Sequence, residues 1–158
     1  MELLIIVFLL GGLFLGWSLG ANDAANVFGT AVGTRMVQFK TAAIICSLFV
    51  ILGAIISGSG TTETLGKLGS INALPGAFAA CVAAGVSVYI MTKLGLPVST
   101  TQAIVGAIIG WNLYTGSSTN IQVLITILST WVLCPIIAGL IAMLFFVITK
   151  NFIPKGKL

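Results

Sequence analysis

"LLIIVFLLGGLFLGWSLGANDAANVFGTAVG", Leu3 to Gly33, decides how the fold is read. Up to Gly20 it is an apolar run with no charged residue, long enough to cross the hydrocarbon core of a bilayer, which takes about 20 residues. Directly behind that run stand Asn22, Asp23 and Asn26, set among alanines and glycines. The apolar part has the length of a membrane span. The polar part needs a reason to follow it.

The rest of the chain agrees with a membrane setting. Its 158 residues are 58% hydrophobic and only 6% charged, against about 25% charged in an ordinary soluble domain. The chain reads as an integral membrane protein. A cleaved signal peptide at the N-terminus would need a basic lead-in, but the only charge ahead of the run is Glu2, so the segment reads as a retained span. Cys46, Cys81 and Cys134 lie apart in apolar segments, as buried free thiols do, and do not form a disulfide framework or a metal cluster. With no histidine, and no nucleophile, base and orienting group in any recognisable arrangement, the sequence does not read as an enzyme. The net charge of +4 is spread over loops instead of forming a stripe, which points away from nucleic acid.

Apolar run length and Gly, Pro and charge punctuation mark five segments. They are Leu3 to Gly20 continuing to Gly33, Thr41 to Ser57, Leu74 to Thr92, Pro97 to Tyr114, and Ile121 to Thr149, with Pro135 a candidate kink in the last. "SGSGTTETLGKLGS", residues 57–70, reads as a polar, glycine-rich loop. The expectation is an all-α, polytopic membrane protein with about five hydrophobic segments, two of them broken or re-entrant, in a single domain over 1–158. Arg35 and Lys40 follow the first segment, Lys93 the third, and Lys150, Lys155 and Lys157 the fifth, while Lys67 alone falls on the other side. Because Lys and Arg gather on the cytoplasmic side, the N-terminus is expected outside and the C-terminus in the cytoplasm.

Two of the segments share a pattern. "NDAANVFGTAVG" (22–33) and "STTQAIVGAIIG" (99–110) align without a gap, each opening on polar residues, with Gly29 and Gly33 matching Gly106 and Gly110. Each also carries the marks of a helix that begins inside an apolar region. Asn22 is a good N-cap with Asp23 in the first turn; Pro97 breaks the preceding chain, and Ser99 with Gln102 forms a capping box of the S-x-x-Q kind. Two helix N-termini would then face the membrane interior, where free N–H groups attract anions and side-chain oxygens hold Na⁺. The glycine pairs read as close helix contacts.

Asp23 is the only acid in the membrane interior, and an aspartate at the centre of a span costs about 2.5–3.5 kcal/mol on insertion scales, so a partner or an ion is expected. Asn22, Asp23 and Asn26 offer three oxygen-bearing side chains on one helix face, a donor set suited to Na⁺. Ser99, Thr100, Thr101 and Gln102 offer three hydroxyls, an amide and backbone N–H groups, suited to a small tetrahedral oxyanion. A plain capping role for these serines and threonines is the alternative.

At these residues the chain resembles the inorganic phosphate transporter (PiT) family. "GANDAAN" (20–26) matches that family's GAND-x-AN signature, and "PVSTTQAIVGAIIG" (97–110) matches its P-x-STTH-type motif. The resemblance implies cation-coupled uptake of inorganic phosphate by alternating access, with Na⁺ or H⁺ as the coupling ion and no cofactor. It implies Na⁺ around Asn22, Asp23, Asn26, Ser99 and Thr100, and phosphate at Asp23, Ser99, Thr100, Thr101 and Gln102. Gln102 stands where the family commonly has histidine, which removes a proton-linked role at that position but leaves an amide able to hydrogen-bond phosphate. Family members carry both motifs twice, in two inverted halves, and this chain looks like one half. A second half, either a complementary chain or an inverted copy of this one, is therefore an expected partner, and the charge bias favours the complementary chain. The expected location is the plasma or inner membrane. Sulfate transport, H⁺ coupling, and a channel or non-transporting subunit are the competing readings.

Overall fold

The computed structural model describes residues 2–69 and 74–152. These residues form five α-helices, α1 (Glu2–Gly33), α2 (Phe39–Leu68), α3 (Leu74–Lys93), α4 (Thr100–Thr115) and α5 (Ile121–Phe152), and no strand. The all-α expectation holds. By length and composition α1, α2, α3 and α5 are candidate membrane spans, and α4 is too short to be one. Lys155 and Lys157, used above to orient the chain, lie outside the described residues.

Two expectations are corrected. First, α1 does not break at Asn22 but runs on to Gly33 as one helix. No proline interrupts it, and in lipid a helix that stays intact keeps its backbone groups satisfied. Asn22 is therefore not an N-cap. Second, the polar stretch after Ser57 is helix as far as Leu68 rather than loop. Its hydroxyls bond back to the preceding turn, Thr62 to the Gly58 carbonyl and Thr64 to the Gly60 carbonyl, both at 2.9 Å, and Glu63 pairs with Lys67 one turn on.

Residues Met1–Asn120 and Ile121–Leu158 form two separate compact units. In the first, α1 and α3 run parallel and close together because glycines let them. A Cβ on Gly11 would lie 2.8 Å from Phe78, and one on Gly85 would lie 2.7 Å from Phe14. Small residues at one-turn spacing, Gly76, Ala80, Ala84 and Val88, form the buried stripe of α3. Rings lock the seam, with Trp17 and Tyr89 at 5.6 Å and Phe8 and Phe78 at 5.7 Å. α4 runs back along α3, so that Trp111 covers Gly76.

Gly29, Gly33, Gly106 and Gly110 meet nothing within 4 Å, so the close contacts expected of them are absent among the described residues. Among the described residues the second unit holds α5, a helix that continues through Pro135.

The far end of α4 is tied to the end of α2. α4 stops at Gly116, whose left-handed φ of 69° suits a residue without a Cβ. Beyond it the Asn120 N–H donates to the Leu68 carbonyl at 3.0 Å. Asn112, fully buried, rests its amide on Gly69, where a Cβ would lie only 2.5 Å from Nδ2. α3, the 94–99 link and α4 thus make a hairpin with one end anchored and its tip against the middle of α1.

Candidate functional site

The tip is where the two motifs meet. Leu94 to Val98 leave the helix because Gly95 adopts a φ of 71° and Pro97 carries no N–H. Ser99 is extended (φ −88°, ψ 117°) and caps α4, its Oγ accepting from the Gln102 N–H at 3.3 Å. The second helix start read from the sequence is present. The first intrahelical bond runs from the Ala103 N–H to the Ser99 carbonyl, so the N–H groups of Thr100 and Thr101 have no acceptor within the helix.

Asn22 holds the tip to α1. Its Nδ2 donates to Thr92 Oγ1 at 2.8 Å, while its Oδ1 accepts from the Val98 N–H at 3.4 Å and from Asn26 Nδ2 at 3.3 Å. It is 5% exposed and does not line the cleft described next. Thr92 passes its own proton to the Val88 carbonyl at 2.8 Å, which fixes its oxygen as the acceptor for Asn22. Neither Thr92 nor the Val98 N–H was expected from the sequence, because their partner lies some seventy residues away and no local pattern marks them.

An open cleft of about 790 Å³ lies between α1, α3 and the start of α4. Asp23, Asn26, Ser87, Ser99 and Gln102 line it, with Val27, Val88, Met91, Pro97, Val98 and Ala103. Asp23 and Asn26 thus share a cleft with Ser99 and Gln102. Thr100 is buried behind them and donates through Oγ1 to Asp23 Oδ1 at a long 3.4 Å. Thr101 is exposed and does not line the cleft. Asn26 has spent an N–H on Asn22, and its Oδ1 has no partner among the described residues. Ser87 and Met91 are lining residues that the sequence did not announce.

Chemically the walls differ. The α1 wall presents a carboxylate and an amide oxygen from a helix whose backbone is fully committed. The α4 wall presents the Ser99 hydroxyl, whose proton is free, and the Gln102 amide, both at the positive end of a helix dipole. Hard oxygen ligands and a lone carboxylate suit a monovalent cation, and the donor wall suits an anion. Among the described residues no three His, Cys, Asp or Glu side chains cluster, so the donor set is not that of a transition-metal centre.

A helical membrane unit with an oxygen-accepting and a proton-donating wall on one cleft has the form of a polytopic transporter unit, and comparison with known proteins gives the family. Residues 19–157 match the model of the phosphate transporter family, and the chain belongs to it. This is a family of transporters, not of enzymes. A protein of Pyrococcus furiosus named "Putative phosphate permease" is 36% identical over 98% of this chain and 40% of its own length. The Arabidopsis thaliana protein "Inorganic phosphate transporter 2-1, chloroplastic" is 30% identical over 96% of this chain and 28% of its own length. A solved structure described as "The sodium-dependent phosphate transporter" superposes with a TM-score of 0.82 at 34% identity, covering 96% of this chain and 40% of that one. The chain spans about 40% of the length of the first of these relatives and of that structure.

Proposed function

We propose that this chain forms the substrate-binding half of a Na⁺-coupled inorganic phosphate carrier. The observation that carries the reading is the cleft itself, where the Asp23 and Asn26 oxygens face the proton-donating start of α4. Na⁺ sits against Asp23 and Asn26. Phosphate sits against Ser99 and Gln102 at the positive end of α4, and its remaining proton is donated toward Asp23. Sulfate carries no such proton near neutral pH, so an acid beside the anion favours phosphate. The name of the structural neighbour supports sodium as the coupling ion.

Asn22 belongs to the site as a positioning residue, since both lone pairs of its oxygen already have donors. Thr100 positions Asp23, and Thr101, which does not line the cleft, serves the start of α4 and makes no direct contact with the anion.

α1 continues from Asn22 to Gly33, roughly 16 Å past the hairpin tip. On this reading the hairpin of α3 and α4 re-enters, although α3 alone is long and apolar enough to span, and α1, α2 and α5 cross. Three crossings reverse the direction in which a following half would enter, as an inverted repeat requires. Rocking of the second half against this one exposes the cleft to each side in turn, and filling both walls favours closure.

Proteoliposomes containing the chain test the reading. Saturable uptake of labelled phosphate under an inward Na⁺ gradient, absent under a matched K⁺ gradient and little affected by equal sulfate, is expected. Uptake that ignores Na⁺ but follows a proton gradient would replace the coupling ion, and flux without saturation would indicate a channel.

A further inference from the structure

The cleft is much larger than a phosphate and a Na⁺. Together those ions displace about as much as four waters, roughly 120 Å³ at ~30 Å³ each. The cleft holds about 790 Å³, the size of pockets that take organic ligands, about 300–1,000 Å³. The space beside its polar residues is apolar, and three elements supply it. Val98 directly precedes Ser99, and its N–H donates to Asn22, the neighbour of Asp23. Met91 directly precedes Thr92, whose hydroxyl accepts from the same asparagine. Val27 stands one turn on from Asp23 along α1. In this register all three lining residues lie within about one helical turn, roughly 5 Å along the helices, of the Asn22 and Asp23 level. Val27 is 72% exposed and Met91 38%, so both have apolar surface for a ligand to cover.

We propose that the cleft accepts phosphate monoesters and phosphonates that carry an apolar substituent, with the anion at Ser99 and Gln102 and the substituent among Val27, Met91 and Val98. This rests on the reading of the start of α4 as the phosphate seat. A phosphonate gives up one oxygen of phosphate for the substituent, and three remain to accept from the Ser99 hydroxyl and the Gln102 amide. The substituent then removes from water the apolar surface that inorganic phosphate leaves bare.

Titration calorimetry of the full chain in nanodiscs, in Na⁺ buffer and against empty nanodiscs, compares inorganic phosphate with methyl-, propyl- and butylphosphonate. Affinity is expected to rise roughly twofold for each half-covered methylene, about eightfold from methyl to butyl. Met91→Ala combined with Val27→Ser is expected to cut that gain to about twofold, with inorganic phosphate bound within about twofold of its native affinity. Butylphosphonate that binds no tighter than methylphosphonate, or a gain that survives both substitutions, overturns the proposal and leaves the phosphate seat standing. No binding of inorganic phosphate to the native chain overturns the seat and the proposal with it. Phosphatidate added to the nanodiscs distinguishes two sources of the same chemistry, and either result supports the proposal: displacement of butylphosphonate assigns the substituent to a lipid, and undiminished binding assigns it to a water-soluble ester.

Discussion

"NDAANVFGTAVG" and "STTQAIVGAIIG" look like copies of one another, yet the first lies within an unbroken helix while the second begins one. The difference assigns their chemistry. In the middle of α1 every backbone group is used by the helix, so that motif can offer only side-chain oxygens, one of them charged. At the start of α4 the backbone has N–H groups to spare, and the capping serine keeps its proton. Similar polar residues give an accepting wall in one place and a donating wall in the other, and the cleft lies where the hairpin brings them together.

The comparison breaks most visibly at Asp23. Asp23→Asn removes the only charge on the accepting wall without changing its shape, and phosphate affinity measured in Na⁺ by titration calorimetry should fall about a hundredfold, as the loss of a charged interaction implies. Asn22→Ala comes next, and it acts on stability. It strips partners from Thr92 and the Val98 N–H, and should cost about 2 kcal/mol in chemical unfolding, with the loss not restored by saturating Na⁺. A smaller effect is expected on the donating wall. Ser99→Ala removes both the cap and the free proton, worth about 1 kcal/mol of stability and roughly a tenfold loss of phosphate affinity. Thr101→Ala leaves the N–H in place, and binding should stay within about twofold.

How far the sequence could be read depends on where each residue's partner lies. Pro97, Ser99 and Gln102 announce the start of α4 because proline geometry and capping are local, and they were legible. Asn22 looked like a cap for the same local reasons. Its real partners are Thr92 and Val98, and nothing within a turn of it says so. The 58–68 stretch misled in the opposite direction, since glycines and threonines suggest a loop until their hydroxyls are seen bonded to the preceding turn. Composition pointed to the membrane and the helical class, and Asp23 pointed to the cleft that it lines, because a charge beside an apolar run demands a partner wherever it is. Ser87 was invisible: a serine in an apolar helix has meaning only when its neighbours across the cleft are known.

The most direct test is the affinity of the purified chain for labelled phosphate at stepped Na⁺ concentrations and constant ionic strength. With the two ions on facing walls, phosphate should bind more tightly as Na⁺ rises, and by linkage Na⁺ affinity should rise by the same factor when phosphate is present. Phosphate affinity that does not change with Na⁺ would contradict the pairing of the two walls.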